Sequence, residues 1–120
     1  MGASPHDTEP THGRIERAGH RSIPVFRGEV DEDVVDRFLT RWSPQQDPTP
    51  RGLAQQHPEI YRFDLRDVAE LEPAATALIA AFVMNGVGSP GRRLTVEHPS
   101  TIARVRLEDA GVASLVRIVD

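Results

Sequence analysis

The chain has 120 residues, no cysteine and a formal charge of −4. That length makes one domain with a core of its own, and the missing thiols exclude a disulfide framework, thiolate metal sites and a cysteine nucleophile. The acidic balance argues against nucleic acid as the main partner, and no segment approaches the roughly 20 apolar residues needed to span a bilayer.

Residues 1–21 are rich in Pro, His, Thr, Gly and charge, with Ile15 the only aliphatic residue larger than alanine after Met1. Such a segment buries too little apolar surface to offset its ordering entropy, and is expected to be a disordered tail. It has no apolar run of the secretory type, so the expected address is the cytoplasm, with no direct membrane insertion. All 14 basic residues are arginine, read as the coding bias of a GC-rich bacterial genome.

The domain is expected over 22–120. Ile23-Pro24-Val25-Phe26 predicts a strand at a sheet edge or a strand start. Asp31 is a good N-cap for a helix whose first turn is acidic (Glu32, Asp33) and whose later turns carry Arg37 and Arg41, the order the helix dipole favours. Val34, Val35, Phe38, Leu39 and Trp42 form its apolar face, and Ser43-Pro44 should stop it. Residues 43–58 hold four of the ten prolines and are expected to be a surface loop, long enough to contribute to binding.

Ile60–Val68 alternates as a strand does. Pro73–Val87 carries no charge. Pro73 suits the first helical position, Glu72 complements the dipole, and Asn85-Gly86 gives a stop. Leu71, Ala75, Leu78, Ile79 and Phe82 supply its core face. Gly88-Ser89-Pro90-Gly91 is a turn, Arg93–Val96 a third strand, Pro99 to Gly111 a third helix and Ala113–Val119 a last strand. Strands alternating with helices imply an α/β fold with a mixed but mostly parallel sheet of four to five strands and three to four helices.

Asp64-Leu65-Arg66-Asp67-Val68, Leu71-Glu72, the apolar helix and Gly91-Arg92-Arg93-Leu94-Thr95-Val96 together resemble the pattern of STAS domains. This family includes the bacterial anti-sigma factor antagonists and the cytoplasmic domains of sulphate transporters. Gly28-Glu29-Val30-Asp31 is similar to its Gly-Glu-Leu-Asp, and Ala110-Gly111-Val112 to its Thr-Gly-Leu. The resemblance covers roughly residues 22–119. It implies a STAS-like fold and a protein-binding regulatory module in transcription signalling, with a kinase-like anti-sigma factor or a related signalling protein as partner. Where the family has Asp-Ser-Ser-Gly, with a serine phosphorylated by the partner kinase, this chain has Glu72-Pro73-Ala74-Ala75. Pro73 and Ala74 have no hydroxyl, so the usual phosphate has no acceptor. Thr76 is the nearest hydroxyl, expected to bond its own helix backbone.

The expected contact region is Val68, Ala69, Glu70 and Glu72, then Pro73, Ala74 and Ala77 at the start and on the outer side of the helix. An alternative partner is the ATPase of a lipid-transport ABC complex, on which stand-alone STAS proteins dock; a homodimer is left open. A small-molecule sensor using the acidic run Asp64, Asp67, Glu70 and Glu72 is weaker, because such a run is more often a solvated rim. His6, His12, His20, His57 and His98 lack metal-ligand spacing, and no Ser/His/Asp elbow motif occurs. The expectation is no catalytic residue, no metal and no cofactor.

Overall fold

The computed structural model describes residues 13–18, 23–42, 49–85 and 93–120. Their order is β1 (Arg14–Ala18), β2 (Ile23–Val30), α1 (Glu32–Trp42), α2 (Pro50–Gln56), β3 (Arg62–Leu71), α3 (Pro73–Asn85), β4 (Thr95–Glu97), α4 (Thr101–Asp109), a 3-10 turn (Ala113–Leu115) and β5 (Arg117–Val119). The protein is α/β, with five strands in chain order across one mixed sheet. β1 runs antiparallel to β2, and the remaining neighbours are parallel.

Parallel neighbours joined in sequence by right-handed crossovers carry their helices on one face. The burial pattern agrees. Phe63, Leu65, Val68 and Leu71 of β3 are buried, whereas Arg62, Arg66 and Asp67 are exposed. On the buried side Phe63 meets Phe26 of β2 at 5.3 Å and the edge of Phe82 of α3 at 5.2 Å between ring centroids. The other face is a polar grid in which Arg27 pairs with Asp67 and Arg62 with Glu97.

The expected first helix is present within its expected bounds. The Asp31 carboxylate accepts from Val34 N–H at 3.0 Å, and Val34, Val35, Phe38 and Leu39 are buried. The expected uncharged helix, α3, also begins at Pro73 and ends at Asn85.

Several expectations are corrected. Arg14–Ala18, placed in the disordered tail, pairs with β2 over its whole length. Only one of its faces meets the core, so a single isoleucine suffices, which is why composition hid it. Gly13 lies so close to β2 that a Cβ there would be 1.9 Å from the Glu29 carbonyl oxygen. The expected loop 43–58 contains α2: Thr49 caps it by accepting from Gly52 N–H at 3.0 Å, Pro50 opens it, and Leu53 and Ala54 are buried. Here prolines that read as loop residues include a helix starter. Residues 43–48 and the turn Gly88–Gly91 lie outside the described residues.

β3 covers Arg62–Leu71, so it starts later than the expected Ile60 and runs past the expected end at Val68. The strand expected at Arg93–Val96 lies at Thr95–Glu97 and ends at His98, whose φ is 50°. Beyond it Ser100 N–H donates to the Leu65 carbonyl, and α4 packs against β3. The last expected strand is a 3-10 turn followed by three strand residues.

Candidate partner-docking surface

In an open parallel sheet, ligands and partners gather at the carboxyl ends of the strands. Here β2 and β3 end side by side, with Glu29 opposite Glu70 and Val30 opposite Leu71. The chain leaves β3 through Glu72 and enters α3 at Pro73. Glu72 N–H donates to the Val30 carbonyl, tying the turn to β2. Around this turn lies a cleft of about 630 Å³ lined by Glu29, Glu70, Leu71, Glu72, Pro73, Thr76, Arg106, Asp109 and Ala110.

The two acidic residues of the turn sit in different surroundings. Glu70 is held by Arg106 of α4 in a two-pronged ion pair, with Nε–Oε2 at 2.6 Å and Nη2–Oε1 at 3.1 Å. That guanidinium keeps the Glu70 carboxyl below the ordinary carboxylate range, against a smaller opposing effect of burial. Glu72 is pushed above that range, first by partial burial and then by the nearby carboxylates of Glu29, Asp31 and Glu70. The cleft is thus acidic at its β2 side and internally neutralised at its α4 side.

α3 supplies the apolar part. Ala75, Thr76, Leu78, Ile79, Phe82 and Val83 are buried. Pro73, Ala77 and Met84 are exposed, Met84 to 66%, and Ala74, Ala80 and Ala81 are half-buried. Positions 73, 77, 80, 81 and 84 recur at helical spacing, so they form one uncharged stripe. The stripe starts at the cleft and runs the length of the helix, about 16 Å at 1.5 Å per residue. Near its far end a second hollow of about 390 Å³ is lined by Arg51, Gln55, Ala81, Met84 and Asn85.

The expected contact residues divide accordingly. Glu70, Glu72 and Pro73 line the cleft, Ala77 is exposed on the outer side of α3, Ala74 is half-buried against the core at the margin of that side, and Ala69 is exposed on β3. Val68 is only 4% exposed, and its side chain belongs to the core. Thr76 donates its hydroxyl to the Pro73 carbonyl at 2.9 Å and is buried, as its backbone-bonding role requires. Of the acidic run, Asp64 and Asp67 are not brought to the cleft: they belong to the polar sheet face, where Asp67 pairs with Arg27. Arg106 and Asp109 were not anticipated. An Arg–Asp pair three apart reads as ordinary helix surface until the fold sets it beside Glu70.

Among the described residues no cluster of three His, Asp or Glu side chains is arranged to hold a metal ion, and no helix is long and apolar enough to cross a membrane. The sequence matches no protein-family model, and no curated protein matches it.

Proposed function

We propose that this chain is a protein-binding regulatory module resembling an anti-sigma factor antagonist, which docks its partner on α3 and the adjoining cleft without a serine phosphorylation switch. The observation that carries the reading is the uncharged stripe of Pro73, Ala77 and Met84 left exposed beside the acidic turn. An α/β domain needs to bury only one side of such a helix, and an apolar opposite side is the signature of a contact surface. A five-stranded, mostly parallel sheet agrees with the fold that the resemblance implies. Pro73 and Ala74 occupy the family's serine positions, so binding is constitutive with respect to that modification. Phosphate there would add about −1.5 to −2 charge at the helix N-terminus and reset affinity by local electrostatics.

The test is a calorimetric titration of the wild type and Ala74→Asp against a purified kinase-fold anti-sigma factor. Aspartate in the first turn suits the helix dipole, so the variant stays folded. It puts a charge into the docking surface, and affinity is expected to fall by about tenfold or more, about 1.4 kcal/mol. Equal affinities would remove the assignment.

A further inference from the structure

The opposite end of the sheet carries an inference independent of the α3 docking surface. β1 is an edge strand: among the described residues no strand pairs with its outer side. It is five residues long, against three for β5 at the other edge. A strand edge with free N–H and C=O groups is a template for another strand, and proteins ordinarily block it.

The side chains of β1 form a self-complementary set. The register pairs Arg14 with Arg27, Ile15 with Phe26 and Glu16 with Val25. Arg14 and Glu16 therefore share one face, where Glu16 pairs with Arg14 and lies 3.9 Å from Arg27. Ile15 takes the other face, partly buried against the core. If β1 is laid antiparallel to a second β1 about Ile15, each Arg14 falls opposite the other copy's Glu16 and the two isoleucines face each other. Opposite charges and apolar residues directly across a strand pair are the combinations that stabilise a sheet.

The helix above the edge has the matching charge order. Between β1 and α1 lies a groove of about 310 Å³, lined by Gly13, Arg14, Ile15, Val34 and Phe38 with Arg37 and Arg41 on its helical wall. α1 is acidic in its first turn, at Glu32 and Asp33, and basic in its last, at Arg41. A two-fold axis through Ile15 runs the two α1 helices antiparallel and brings the acidic end of each towards the basic end of the other. Self-complementarity of this kind is what an isologous interface demands.

We propose that β1 and the α1 groove form a two-fold interface with a second copy of this chain, joining the two sheets into one of ten strands. The copies then present two α3 surfaces, and a bivalent partner would gain avidity.

Sedimentation equilibrium of the full chain at roughly 0.1 mM tests this. The wild type is expected as a dimer. Glu16→Arg sets arginine against arginine at both pairs, and Arg14→Glu sets glutamate against glutamate; each is expected to weaken association by about tenfold or more. An equimolar mixture of the two variants restores both opposite-charge pairs and is expected to return to dimer, which a merely misfolded edge strand would not do. A second measurement needs no variant: exchange of the β1 amides in the wild type should slow as chain concentration rises. A monomeric wild type, a dimer indifferent to both substitutions, or a mixture of folded variants that stays monomeric would overturn the proposal. So would protection of β1 independent of concentration, the result expected if other residues of the same chain cover the edge.

Discussion

The pKa values of Glu70 and Glu72, two residues apart, shift in opposite directions because one carboxylate is bonded to a guanidinium and the other is partly buried among carboxylates. Arg106 lowers the Glu70 pKa, so that pair contributes stability above the unfolded-state value of about 4.3 and loses it as pH falls through the folded value. Glu72 is raised by partial burial and by Glu29, Asp31 and Glu70. Its contribution therefore has the other sign: it favours the folded state most at low pH and becomes a cost as pH rises through its raised value. Thermal melts at about pH 7 and about pH 3.5 should separate the two. Glu70→Gln is expected to lower the melting temperature at the higher pH, Glu72→Gln to raise it, and both differences to shrink at the lower. A Glu72→Gln variant that is destabilised at neutral pH would contradict this electrostatic account. That both residues lie near the proposed docking surface was legible from the resemblance and from the end of a strand. Their opposite environments were not, because Glu29 and Arg106 come from segments remote in sequence.

At the scale of elements, legibility followed the strength of the local signal. α1 was readable because capping, charge order and apolar spacing agree over eleven residues, and α3 because Pro73 opens an uncharged, apolar run of thirteen. α2 has only seven residues, too few for a period to emerge between its proline and its glutamines. Its place is set by tertiary contact: Asn85 at the end of α3 donates its side-chain amide to the Ala54 carbonyl at 3.0 Å, and Leu53 is fully buried. His57 closes the element, its ring edge-on to Trp42 of α1 at 5.6 Å. An element held this way should behave as core and not as loop. Leu53→Ala is expected to destabilise the domain by about 2–5 kcal/mol, measured by urea unfolding. A loss below about 0.5 kcal/mol, the scale of surface substitutions, would mean that α2 is dispensable. β1 is hidden in the sequence, and the bounds of β4 shift from those expected, for a related reason: an edge strand needs one apolar residue per turn of the pleat at most, and a three-residue strand is defined by its neighbours.

The whole molecule has a layered logic that joins these parts. Strands in chain order put the helices on one side of the sheet, leave a polar grid on the other, and set the β2 and β3 ends beside the start of α3. The fold class was legible because alternating strands and helices admit few arrangements. The candidate surface was legible as a sequence neighbourhood, Glu70 to Ala77, but its far wall from α4 exists only in three dimensions. The unusual feature is that α3, the least charged element, is half open to solvent, with its apolar stripe beginning at an acidic cleft. Hydrogen exchange on the chain mixed with a purified kinase-fold anti-sigma factor, the proposed partner, reads that claim directly. Slowed exchange is predicted across the β3–α3 turn and along α3, with the polar sheet face unchanged. Slowing confined to the sheet face, with α3 exchanging as in the free chain, would contradict it.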